Sequence, residues 1–234
     1  LTNYFAFDIE TVKRFPDGDS WRNHRPLGIA CAAAAAVCFE QPRVWHGAAA
    51  DGSIATRMDQ EELRQLVGDL VAAVDQGFTL LTWNGMGFDF DILAEESGLI
   101  EECRALARNH VDMMFHLFCV KGFPLALRTA CIGSGTTSKV EGMDGAKAVQ
   151  MWHAGARQEV IDYCVRDVQA TLELANATER KRRLTWLSKA GNPQFLPIPS
   201  GWKKVDNALR IPEPDTSWMS RPLARSEFTA WLRG

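Results

Sequence analysis

Three short patterns in this chain concentrate the side chains that metal-assisted chemistry needs. Tyr4-Phe5-Ala6-Phe7-Asp8-Ile9-Glu10 is aromatic and β-branched enough to predict a strand. Residues i and i+2 of a strand share a side, so Asp8 and Glu10 converge while Phe7 and Ile9 face the opposite layer. Two adjacent carboxylates repel unless a cation sits between them, and hard divalent ions such as Mg²⁺ take oxygen ligands. The second pattern, Asn84-Gly85-Met86-Gly87-Phe88-Asp89, follows the apolar run Phe78 to Trp83. It places an acid at the opening of a helix just past the end of a strand, where α/β sheets carry their sites. In the third, Tyr163-Cys164-Val165-Arg166-Asp167, the i,i+4 spacing puts a phenol and a carboxylate on one helix face. Taken singly, each pattern also has an ordinary structural reading: exposed edge carboxylates, a helix N-terminal charge favoured by the dipole, and a core tyrosine.

The elements that must position these residues follow from hydrophobic periodicity. Leu27 to Phe39, closed by Gln41-Pro42, reads as a second strand despite its alanines, and Val44 to Gly47 as a short third. From Asp59, the residues Leu63, Leu66, Val67, Leu70, Val71 and Val74 recur at three and four, which predicts an amphipathic helix ended by Gly77. Helical periodicity dominates after Asp89, and the longest helix is expected from Gln158 to Arg183, with Ile161, Val165, Val168 and Leu172 on its apolar side. Between Gly133 and Gly145 the chain is glycine-rich and polar, hence a loop. Strands first and helices later predict an α/β sheet layered with helices. Six of the ten prolines lie beyond Ala190, so regular structure should be sparse there, while Trp202, Trp218 and Trp231 argue that the segment packs on the domain. The expected division is a domain over 1–185 and a Pro/Trp-rich C-terminal extension over 186–234.

In order, D-x-E on a first strand, N-x-x-x-F-D after a later strand and Y-x-x-x-D on a late helix resemble the three motifs of the DEDD superfamily of 3′–5′ exonucleases, in its tyrosine-bearing branch. The histidine-bearing branch needs H-x-x-x-x-D, and the residue five before Asp167 is Asp162. The resemblance covers roughly 4–180 and includes His110-Val111-Asp112-Met113-Met114 and Gly142-Met143-Asp144-Gly145-Ala146-Lys147. It is similar to the proofreading exonuclease domain of family B DNA polymerases and to free-standing exonucleases related to it; polymerase palm and fingers do not fit in the remaining residues. The resemblance implies a ribonuclease-H-like mixed sheet of about five strands flanked by helices. It also implies hydrolysis of single-stranded 3′ ends, DNA before RNA, to nucleoside 5′-monophosphates with two Mg²⁺ or Mn²⁺ ions. Asp8 would then bridge the two metals, Glu10 and Asp167 complete the site that generates the nucleophile, and Asp89 hold the second metal mainly through water. Tyr163 would orient the attacking water, since a phenol with an ordinary pKa of about 10 is a poor base at neutral pH. Ile9 (backbone), Thr11, Asn84 and Phe88 would grip the terminal nucleotide. The competing expectations are a 3′–5′ exoribonuclease and a non-catalytic nucleic-acid-binding module that kept the fold.

Composition bounds these readings. Of 234 residues, 46% are hydrophobic and 24% charged, ordinary for a globular protein, which excludes global disorder, collagen and coiled coil. The formal net charge of −3 means that bulk charge cannot hold a polyanion. Neutralisation of four carboxylates by divalent cations would reverse that sign. Six cysteines without a C-x-x-C pair read as buried thiols in a reducing, cytoplasmic setting. The longest apolar run, Leu27 to Phe39, is shorter than the span of a roughly 30 Å hydrocarbon core, so no membrane helix is expected. Leu1 in place of Met points to residues missing upstream. Gly133 to Lys139 has a phosphate-loop flavour, yet Ser138 and Val140 break G-x-x-x-x-G-K-[ST]; Lys139 and Lys147 remain candidates for phosphate contact or solvated lysines. The basic run Arg180-Lys181-Arg182-Arg183 could guide a strand, with Trp186 or Trp202 as stacking platforms, or be a solvated helix end. Asp91 falls outside the second motif, Asp112 reads as structural, and the five histidines form no metal motif.

Overall fold

The computed structural model describes residues 2–16, 18–136 and 144–233. Its centre is a five-stranded sheet of β1 (Tyr4–Thr11), β2 (Ile29–Ala35), β3 (Arg43–His46), β4 (Thr79–Thr82) and β5 (Val111–Asp112), in the order β3-β2-β1-β4-β5. β1 pairs antiparallel with β2 and parallel with β4, so the sheet is mixed, as expected. The helices are α1 (Gln60–Asp75), α2 (Asp89–Ser97), α3 (Ile100–Asn109), α4 (Met113–Lys121), α5 (Leu127–Ser134), α6 (Gly145–His153) and α7 (Arg157–Lys181). None is long and apolar enough to cross a membrane.

The pleat of β1 divides the core. Phe5, Phe7 and Ile9 pack with Leu63, Leu66, Phe90 and Cys103 from α1, α2 and α3 on one face. Tyr4 and Ala6 pack with Val160, Cys164, Val168 and Leu174 of α7 on the other. Asp8 and Glu10 therefore point toward α7. β2 is buried along its whole length, and being covered on both faces explains why a run of alanines forms a central strand: the small side chains let α7 approach closely. α1 starts at a capping box, with Asp59 accepting from Glu62 N and the Glu62 side chain accepting from Asp59 N.

The last fifty residues hold more regular structure than their prolines suggest. β6 (Arg183–Leu187) and β7 (Pro193–Pro197) form a hairpin, followed by α8 (Val205–Ala208) and α9 (Ser226–Thr229). Pro193 and Pro197 are tolerated because they close the two ends of a strand in a two-stranded ribbon. The position 185/186 lies inside β6, so the two expected regions are tied by one strand pair. Side chains anchor the chain beyond β7: Trp202 Nε1 donates to Thr178 Oγ1 (3.0 Å), and Arg225 donates to the carbonyls of Ile211 (2.6 Å) and Cys119 (3.0 Å).

His116 fastens this segment to α4, its Nδ1 accepting from the N–H of Lys203 at 3.2 Å. Burial, with the nearby Lys203 charge, holds its imidazole down at about 4. A depressed folded-state value favours the neutral ring, so the stabilisation is fully present above the unfolded value near 6.5 and is lost as pH falls toward 4. Asn in place of His116 keeps an acceptor but does not titrate. The stability advantage of wild type over His116→Asn in urea melts should shrink by about 2 kcal/mol between about pH 7.5 and pH 5. A gap that stays constant with pH would show that the ring does not carry this dependence.

Candidate active site

The acids meet at the carboxyl ends of β1 and β4, where the strand order reverses direction. Asp8 and Glu10 lie on the α7 side of β1, and a bulge between Glu10 and Thr11 ends their regular pairing with β2. Asp89 is the first residue of α2, and its Oδ1 accepts from the N–H of Ile9 at 3.0 Å, clamping the helix start onto the strand. α7 crosses this end of the sheet, and Tyr163, Asp167 and Thr171, one turn apart each, face the same space. The result is a cleft of about 160 Å³ lined by Asp8, Glu10, Asp89, Tyr163 and Asp167 together with Ile9, Asn84 and Phe88. Three of its acids are buried: Glu10 is 7%, Asp89 2% and Asp167 3% exposed.

The loop that carries Asn84 and leads into Asp89 is held from below. The Asp112 carboxylate accepts from the N–H groups of Asn84 (3.0 Å), Met86 (2.9 Å) and Phe115 (2.9 Å). Thr82 Oγ1 accepts from Gly85 N at 3.1 Å and donates to His110 Nε2 at 3.0 Å, while His110 Nδ1 bonds the carbonyl of Ala107. Burial lowers the His110 imidazole to about 4, in keeping with a neutral ring. Asn84 takes the left-handed conformation (φ 77°), which asparagine tolerates better than other non-glycine residues. A Cβ on Gly87 would lie 2.6 Å from the Phe228 ring, so glycine there lets the C-terminal segment close against the loop. Trp231 Nε1 also donates to the carbonyl of Met86 (2.9 Å).

Residues 48–178, more than half of the chain, match the family model of the RNase_H superfamily. The chain belongs to the RNase_H superfamily. The five-stranded mixed sheet between helices is the RNase H-like fold. The matched stretch carries Asp89, Tyr163 and Asp167, whereas Asp8 and Glu10 come from β1, ahead of it. The structure is similar to that of the family B DNA polymerase from the hyperthermophilic archaeon Pyrobaculum calidifontis, with a TM-score of 0.52 and 18% identity over 76% of this chain. The chain spans only 25% of that polymerase, and at this identity the likeness concerns the fold. No curated protein matches the sequence.

Electrostatics in the cleft of this RNase_H-superfamily chain favour a cation. Burial pushes the Asp89 carboxyl up to about 7; hydrogen bonds from Asp8 and from the Ile9 N–H oppose the shift, and the Asp112 charge adds to it. No described residue lining the cleft is a lysine, arginine or histidine. Four carboxylates around one small space are the oxygen donor set that suits Mg²⁺ or Mn²⁺. Cys164 lies within 4.8 Å of the Asp8 and Glu10 oxygens, and its Sγ donates to the carbonyl of Asp8 at 3.6 Å. A hydrogen bond with Cys31, burial and the two acid charges raise this thiol well above its ordinary range, so it stays protonated and sits beneath the carboxylates as packing.

Other sequence-predicted residues lie elsewhere. Thr11 is buried and lines an adjoining pocket of about 120 Å³, shared with Ile9 and Glu10, rather than the cleft. Phe88 does line the cleft, and it also packs edge-on against Trp21. Lys139 lies outside the described residues. Lys147 belongs to the first turn of α6, where its N–H donates to the cap Asp144 (2.8 Å). The basic run is partly structural, with Lys181 Nζ on the carbonyl of Ser134 (2.6 Å) and Arg182 on that of Pro199 (2.9 Å). Trp186 and Trp202 are only 4% and 7% exposed, so neither is a stacking platform. Asp91 pairs with Arg22 (3.2 Å) and Arg25 (2.9 Å). Sequence reasoning does not single out Thr171 or Cys164; their positions, i+8 and i+1 from Tyr163, become informative once α7 is known to face the acids.

Proposed function

We propose that this chain is a divalent-metal-dependent 3′–5′ exonuclease of the tyrosine-bearing DEDD type, acting on single-stranded DNA ends. The observation that carries the reading is the convergence of Asp8, Glu10, Asp89, Asp167 and Tyr163, drawn from three separated segments, in one cleft. Superfamily membership and the fold shared with a DNA polymerase support a nuclease. Asp8, Glu10, Asp89 and Asp167 would hold two Mg²⁺ or Mn²⁺ ions. When bound, such ions supply an activated water and stabilise the leaving 3′ oxygen. The chain's own residues then position the reactants. Tyr163, on the same α7 face as Asp167, donates its phenol hydrogen to the attacking water and orients it. Asn84 and Phe88 flank the terminal sugar and base; Asn84 Oδ1 is buried without a hydrogen-bond partner among the described residues, as suits a contact completed by substrate.

The decisive test is product analysis on matched single-stranded DNA and RNA labelled at either end. The expected result is release of 5′-mononucleotides from the 3′ end of DNA, dependent on Mg²⁺ or Mn²⁺ and arrested by a 3′-phosphate. Preference for RNA would replace the substrate, and no mononucleotide from either polymer would sink the exonuclease reading. Metal binding has a readout independent of turnover. At tenfold excess over its dissociation constant, Mn²⁺ should stabilise the protein by about 1.4 kcal/mol, seen as a higher melting temperature that EDTA reverses. A melting temperature indifferent to Mn²⁺ and Mg²⁺ would argue against the carboxylates as ligands.

A further inference from the structure

We propose, resting on the exonuclease reading above, that the C-terminal segment around Trp218 and the β6–β7 hairpin form a track that holds single-stranded DNA upstream of the cleft. The first support is continuity. The acid cleft opens past Trp83, Leu127 and Tyr163 into a second cavity of about 860 Å³, which those residues also line. That cavity shares Pro124 and Leu125 with a third, also about 860 Å³, between the hairpin and the C-terminal segment. Substrate length beyond the terminal nucleotide therefore has a groove to follow.

Charge changes along the groove in the sense a polyanion requires. The cleft is lined by four acids, and the second cavity by Arg128 and by Asp144, which is engaged as the cap of α6. The third cavity carries the exposed Lys189 and Arg221 and no acid among its described lining residues. Phosphates entering the groove thus meet cationic side chains first and, apart from the capping Asp144, meet carboxylates only where cations are expected.

The aromatic side chains supply the stacking surface. Phe123 packs edge-on against buried Trp186 (centroids 6.2 Å apart) and against Trp218 (6.3 Å). Trp218 is 67% exposed, although its indole is anchored by Nε1 donating to the carbonyl of Asp215 at 3.2 Å. A fixed, exposed indole over a cationic groove is what single-strand binders use as a base platform. Beyond Arg221 the segment is anchored to the domain, with Arg225 donating to the carbonyl of Cys119 and Trp231 to that of Met86.

The test uses Trp218→Ala, with Trp218→Phe as the conservative control and Lys189→Ala/Arg221→Ala as the charge variant, in the full chain. Oligodeoxythymidylates of about 3 and about 12 nucleotides bracket the reach of such a surface. For the longer strand, Trp218→Ala should raise KM and the dissociation constant measured by anisotropy in EDTA about tenfold, with kcat and the short-strand kinetics unchanged. Phe should restore most of the affinity, and the charge variant should flatten the salt dependence of long-strand binding. Equal loss for both lengths, or no loss for either, overturns the track while leaving mononucleotide release intact. Tighter binding of RNA through the same residues overturns the assignment to DNA, and self-association abolished by Trp218→Ala without any effect on DNA binding would make this a protein interface instead. If Trp218-dependent binding persists but wild type releases no mononucleotide, the exonuclease reading fails and the binding surface stands.

Discussion

Asp8→Ala should abolish nucleotide release while leaving the protein folded. Asp8 is the one cleft acid that is partly open to solvent, and it hydrogen-bonds Asp89, whose carboxyl burial already pushes up to about 7. Removing it takes away a metal ligand, and because metal ions contribute several kcal/mol of transition-state stabilisation, the rate should fall by roughly 10³-fold or more. Stability without metal should hold or improve slightly, because one negative charge leaves a cluster with no described lysine, arginine or histidine among its lining residues. Turnover of single-stranded DNA, thermal melts with and without Mn²⁺, and circular dichroism read these effects separately. The Mn²⁺-dependent rise in melting temperature should vanish with the activity. Activity within about tenfold of wild type, equivalent to only about 1.4 kcal/mol, would place the chemistry elsewhere in the molecule.

Asp112→Ala should do the reverse, costing stability first and activity through it. Asp112 is 1% exposed, and its carboxylate satisfies three N–H groups, two of them in the loop that leads to Asp89. Burial raises this carboxyl to about 6 even though hydrogen bonds from the backbone, those of Phe115, Met86 and Asn84 first among them, pull it down. Alanine would leave two buried donors and a part-buried one without acceptors, and at about 1–3 kcal/mol for each unsatisfied buried group the loss should be at least about 2 kcal/mol. That is a large share of the roughly 5–15 kcal/mol by which domains of this kind are stable. Asp112→Asn keeps one acceptor oxygen and should fall between the two in urea melts. Below the melting temperature, the folded Asp112→Ala fraction should also cleave more slowly, because Asn84 and the start of α2 lose their support. Full activity in that fraction would show that the loop holds its shape without Asp112.

These two experiments separate residues of one chemical type, which the motif resemblance ranked in the same way, on top of relations that are local. Asp8 and Glu10 share a side because side chains alternate along a strand, and Tyr163 and Asp167 share a face because a helix turns every 3.6 residues. Such relations need only neighbours within one element. The α/β layering followed from the same periodicities, including the apolar stripes of α1 and α7, whereas the mixed sheet was implied by the motif resemblance. Periodicity failed where a contact from outside the element decided the outcome. β7 forms between two prolines because its partner is β6 and no third strand needs its missing donors.

The tryptophans show the same boundary. Composition said that the C-terminal segment is packed, but exposure depends on which ring meets a partner across long sequence distances. Trp202 is spent on Thr178 and His116, Trp186 lies under Phe123, and Trp218 is left outside over the groove. The sequence by itself determined the chemical types available, their shared faces within each element and the class of fold, since these depend on local spacing. Only the tertiary structure decided that three distant segments enclose one acidic cleft, how far burial shifts Asp89, and which aromatic ring meets solvent, because each is a sum over neighbours the chain brings together only on folding.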